Sequence, residues 1–154
     1  TEGAWEKIAG SPWFYKGWYK SRSGKSCGRS HPWLTSEEMA DMVNAAVVYQ
    51  NNKDKDNFDE VKSHIWQEDD CYSSGADVWS KTKMREEAEK YGAGATSVSD
   101  FSVTYSTAGT TSKIVFQTNK GSIEMEGLSF YKAFNRRAPG AIHLKSALFN
   151  IEKK

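Results

Sequence analysis

Reactive and rigid residues are scarce in this chain of 154 residues, which holds two cysteines, three histidines and three prolines. With so few histidines and no G-x-S-x-G run, a nucleophile elbow is excluded. The twelve glycines form neither G-x-x-x-x-G-K-[ST] nor G-x-G-x-x-G ahead of a helix, which argues against a nucleotide-dependent enzyme. No cofactor is expected. No run approaches the roughly 20 apolar residues that span a bilayer, so no membrane span is expected. The net charge of +1 lacks the basic excess of a dedicated nucleic-acid binder. No signal peptide is recognisable, and Thr1 in place of an initiator Met reads as the start of a mature or trimmed product.

Aromatic residues, by contrast, make up 13% of the chain, enough to argue against disorder. The length suits a single domain over 1–154, able to bury about two-thirds of its unfolded surface. Two parts are expected within it, an aromatic and helical part over 1–75 and a β-rich part over 76–154. Charge is zoned. Residues 1–35 hold six basic side chains against two acidic ones, residues 36–70 hold ten acidic against three basic, and the remainder is net basic. Zoning of this kind can steer a charged ligand, although solvated faces also differ by chance.

Seven aromatics crowd the first 33 residues, among them Trp13, Tyr15, Trp18 and Tyr19, interleaved with Lys16, Lys20, Arg22 and Arg29. Flat rings beside polar donors suit sugar faces. The plainer reading is that they fill a loop-rich core. For Cys27 and Cys71 three readings stay open: a disulfide, two free buried thiols, or a metal site with His31 and His64. A disulfide would close a loop of about 44 residues, on the order of 4 kcal/mol in the chain-entropy model. The metal reading is the weakest, because C-x3-H and H-x6-C match no standard zinc module, and no metal is expected.

The element pattern predicts an α+β fold, a small antiparallel β-meander with a closing strand, packed with two main helices and a loop-rich aromatic N-terminal segment. Thr35 with Glu38 forms a capping box for a helix to about Gln50, carrying an apolar stripe through Met39, Met42, Val43, Ala46 and Val47. Glu37, Glu38 and Asp41 read as helix-start carboxylates. A second helix spans 80–91, capped by Ser80 or Thr82, with a Glu86–Lys90 pair and Gly92 at its end. Alternating residues around 101–105 and 114–118, then a return over 122–126, make a three-stranded meander. A short helix over 128–134, a loop over 135–140 and a last strand or strand pair within 142–151 complete the pattern. Arg136 and Arg137, expected in that loop, are candidates to hold a carboxylate.

The run from Asp77 to Glu152 resembles the C-terminal part of the SpoIID/LytB domain family (sporulation stage II protein D, amidase enhancer). The matching features are Trp79-Ser80 before a helix ending in Tyr-Gly, the Ser-Thr-Ala-Gly-Thr-Thr turn at 106–111, and the strand 113–118. They continue with Asn119-Lys120-Gly121, Gly127 ahead of a Phe and basic residues, and an S-x-x-F ending met by Ser146 and Phe149. The resemblance covers about half the chain and implies a bacterial envelope module, extracellular or in the cell envelope, that binds or helps remodel peptidoglycan glycan. The family's catalytic Glu lies in a segment without a counterpart here, so no catalytic residue carries over. Any activity would be of the lytic transglycosylase kind. On this reading Trp13, Tyr15, Trp18 and Tyr19 stack sugars, Arg136 and Arg137 hold carboxylates, and an envelope location favours the Cys27–Cys71 disulfide. The alternative is a structural or assembly subunit of a surface layer or appendage, with no substrate, whose partners are other envelope proteins or copies of itself.

Overall fold

A computed structural model describes residues 33–68, 77–142, 144 and 146–153. Its centre is helix α1, Ser36–Asn52. The expected capping box starts it. The Glu38 amide donates to Thr35 Oγ1 at 3.1 Å, and the Thr35 amide donates to Glu38 Oε1 at 2.9 Å. Every residue from Ala40 to Tyr49 is buried. A helix buried over ten consecutive residues runs through the interior, and helices and strands pack around α1.

Three further helices surround it among the described residues. Helix α2, Phe58–His64, sets Phe58 edge-on against Tyr49 of α1, with ring centroids 5.0 Å apart. Helix α3, Lys81–Glu89, is capped by Ser80, whose hydroxyl accepts from the Lys83 amide at 3.1 Å. It turns Met84 and Ala88 toward α1. Lys90 pairs with Glu87, not with the expected Glu86, and Lys83 also reaches Glu87. Glu87 sits between two lysines at i−4 and i+3, and so draws both.

The meander is as expected. Strands β1 (Val98–Tyr105), β2 (Thr111–Thr118) and β3 (Gly121–Glu126) pair antiparallel in the order β1-β2-β3. In register, Phe101 lies opposite Phe116 and Val103 opposite Ile114; Phe116 in turn faces Ile123 and Ile114 faces Met125. These residues therefore share the inner face. Gly109 and Gly121 take the left-handed backbone that the two hairpin turns need.

Helix α4, Gly127–Arg137, is one turn longer than the sequence suggests. Asn135, Arg136 and Arg137 belong to its last turn, not to a loop. The helix stops only at Ala138, which precedes Pro139 and is extended, as a residue before proline prefers. Phe130 of α4 lies 5.5 Å from Phe116, 5.6 Å from Phe134 and 5.8 Å from Phe149, ring to ring. These rings join sheet, helix and C-terminal segment in one core.

No closing strand forms among the described residues. After a 3-10 turn at Pro139–Ala141 and a lone bridge at Ile142, the chain runs on irregularly. Side chains replace the ladder. Thr111 Oγ1 accepts from the Phe149 amide at 2.9 Å and donates to its carbonyl at 2.6 Å. Asn135 treats Leu144 the same way, accepting from its amide and donating to its carbonyl.

Candidate functional groove

An open groove of about 200 Å³ lies where α1, α3 and residues 95–96 meet, lined by Glu37, Asp41, Asn44, Lys81, Arg85, Ala95 and Thr96. Helical spacing builds two of its walls. Glu37 and Asp41 are four residues apart on α1, and Lys81 and Arg85 are four apart on α3, so each pair lies on one face. The third wall is fixed by Asn44, which is fully buried. Its Oδ1 accepts from the Gly94 and Ala95 amides at 3.1 and 2.9 Å, and its Nδ2 donates to the Ala95 carbonyl at 2.9 Å. Gly94 has φ of 95°, and a Cβ there would meet the Glu89 side chain, so this close approach requires glycine.

Behind the groove runs a charge network. Arg137, 2% exposed, donates to both oxygens of Asp41 at 2.8 and 3.2 Å and to the Trp66 carbonyl at 2.9 Å. Its guanidinium also lies 3.6 Å from Glu68, which receives Lys81 at 3.0 Å. Burial raises the Asp41 carboxyl above the usual carboxylate range, and the Arg137 charge and hydrogen bonds pull it part of the way back. With both its oxygens accepting from Arg137, Asp41 is built as a fixed counter-charge for α4.

Two groove charges differ from these. Arg85 is half-buried, and its guanidinium has no hydrogen-bond or ion-pair partner among the described residues; Glu37 is exposed and its carboxylate is likewise unpaired there. Lys81 and Asp41 are neutralised within the chain, whereas Arg85 and Glu37 are open to a ligand.

The sequence candidates fall elsewhere. Trp13, Tyr15, Trp18, Tyr19, Cys27 and Cys71 lie outside the described residues. Arg136 and Arg137 are adjacent but face inward. Arg136 donates to the Ile65 carbonyl at 3.1 Å and the Lys62 carbonyl at 2.9 Å, and stacks 4.3 Å from the centre of the Trp66 ring. Its partners are backbone and indole of the chain itself, and the carboxylate that Arg137 holds is internal. His64 stacks on Trp79 at 4.7 Å and donates from Nδ1 to the Asp77 carbonyl, tying α2 to the start of α3. Among the described residues no cluster of His, Cys, Asp or Glu could hold a metal ion, and no helix is long and apolar enough to cross a membrane.

Comparison with protein-family models, with curated proteins and with solved structures finds no match. The groove residues therefore rest on geometry alone. The signal that could have found them is the pair of i,i+4 charge pairs, acidic on α1 and basic on α3. What the sequence hides is that Lys81 and Asp41 are answered within the chain, while Arg85 and Glu37 have no partner among the described residues.

Proposed function

We propose that this chain is a bacterial cell-envelope binding module, related to the SpoIID/LytB family and acting on peptidoglycan by holding it. The observation that carries the reading is the open polar groove between α1 and α3, with one cation and one anion at its rim that have no partner among the described residues. A polymer that carries hydroxyls, carboxylates and amines supplies partners of both signs, and charge-assisted hydrogen bonds are the strong ones. The element order from Trp79 onward supports the same reading, through the capped α3, the two hairpins, Gly127 at the start of α4 and the buried Phe149.

The test incubates the whole chain with insoluble peptidoglycan and analyses both the pellet and any released fragments. Retention that falls in Arg85→Gln and in Trp18→Ala, without released glycan, is the expected result. Release of fragments would make the chain an enzyme and overturn the binding-only reading. No retention at all would overturn the peptidoglycan reading.

A further inference from the structure

The two open charges of the groove are of opposite sign, and that restricts what fits. An anion alone would gain Arg85 and face Glu37; a cation alone would gain Glu37 and face Arg85. Asp41 is held by Arg137 in a buried pair, and Lys81 is paired with Glu68 at the surface. The space, about 200 Å³, is smaller than the roughly 300–1,000 Å³ of a drug-sized ligand pocket and suits a single small group. The walls are preformed. The Asn44 carboxamide fixes residues 94–95 and the capping box fixes the first turn of α1, so the ordering cost of binding falls on the Arg85 and Glu37 side chains and not on backbone.

We propose that the groove binds an α-amino-acid head group, a carboxylate and an ammonium on one carbon, with the carboxylate on Arg85 and the ammonium on Glu37. The planar guanidinium presents paired N–H groups that match a carboxylate. A free amino acid carries this head group. So does the unlinked end of a diamino dicarboxylic residue within a peptide, which would make the peptide arm of the polymer, and not its sugar, the part read here. The inference rests on the proposed reading for the polymer but not for the chemistry of the groove.

The experiment is titration of the whole chain, followed by calorimetry, with four probes: L-alanine, N-acetyl-L-alanine, L-alaninamide and the tripeptide L-alanyl-γ-D-glutamyl-meso-diaminopimelate. L-alanine should bind about tenfold more tightly than either blocked form, the loss expected when one charged hydrogen bond is removed. A tripeptide tighter than L-alanine would place the head group in a peptide; the reverse order would make a free amino acid the ligand. Arg85→Gln should remove the advantage of L-alanine over L-alaninamide, and Glu37→Gln its advantage over N-acetyl-L-alanine. Arg85→Gln should melt as the parent does, and Glu37→Gln only slightly earlier, since it gives up a first-turn carboxylate at the N-terminus of α1. Equal binding of the first three probes, no binding of any, or a preference that survives both substitutions would overturn the proposal. Retention on peptidoglycan is read in parallel. Retention without head-group preference overturns this inference alone, and head-group preference without retention overturns the polymer reading and keeps the groove.

Discussion

Single polar side chains bind backbone of other segments in this protein. Ser36 gives its hydroxyl to the Val98 carbonyl and takes the Val98 amide; Asn44, Thr111 and Asn135 do the same for distant segments. Each supplies both a donor and an acceptor to the backbone it binds, as a neighbouring strand would. Nothing in the sequence marks these four residues, because the segments they bind lie beyond the reach of local rules, from nine to 62 residues away. Arg137 was legible as a charge but not as a buried one, for the same reason, since its partner Asp41 is 96 residues away. Removing one member of that pair strands the other. Asp41→Leu or Arg137→Met should each cost about 3–5 kcal/mol in urea unfolding, and the Asp41→Leu/Arg137→Met double variant should recover most of it. Full additivity of the two losses would show that the pair is not coupled. Gln67 is the converse case. It is 3% exposed and its carboxamide has no hydrogen-bond partner among the described residues. Gln67→Met, of similar shape, should raise the unfolding midpoint, by up to about 1–3 kcal/mol if the whole desolvation cost is relieved. A lower midpoint would mean that the amide is satisfied after all.

Local rules governed which elements were legible. The capping box, the Ser80 cap and the alternation of β2 and β3 all act within a few residues, and the structure follows them. The two misread elements were decided by packing. Helix α4 continues to Arg137 because Phe134 and Arg137 have buried places to fill, and the segment after Pro139 needs no strand pairing because Thr111 and Asn135 hold it. The groove was legible only in halves, one charge pair per helix. The junction of β3 and α4 has no slack, for a Cβ at Gly127 would overlap the Thr111 carbonyl. Gly127→Ala should cost about 1–3 kcal/mol by overpacking, measured by thermal melting, and should loosen the Phe149 amide in hydrogen exchange. The same junction carries a pH signature. Lys53 and Ser129 hold the Glu126 carboxyl below the usual glutamate range, and hydrogen bonding to Glu126 holds Lys53 above the usual lysine range. Glu126 therefore stabilises the fold above its unfolded value, about pH 4.3, and that contribution fades as pH falls through the lower folded value. The Lys53 contribution persists until pH rises through its raised folded value. Both side chains are part-exposed, so Lys53→Met should cost at most about 1 kcal/mol at pH 7. The gap between variant and parent should close in acid; a gap that stayed constant to pH 3 would assign the effect to packing of the lysine stem.

Across the whole molecule one aromatic hub joins what the chain makes early to what it makes late. Phe130 touches a strand, its own helix and the C-terminal segment, so Phe130→Ala should cost about 3–5 kcal/mol and lower every unfolding probe together. A loss confined to C-terminal amides would divide the core in two. The hub also sets an order of events. Phe149, 2% exposed, fills the last face of Phe130, and Thr111 waits for it with both a donor and an acceptor. During synthesis α1, the meander and α4 emerge from the ribosome before their final partner does. Until residue 149 emerges, Phe130 presents a bare ring and Thr111 an unanswered hydroxyl, and the nascent chain is an open core in need of shelter. Domains fold as units once complete. For this chain completion comes with Phe149, so a nascent chain stalled before that residue should be protease-sensitive, while one stalled well after it should resist.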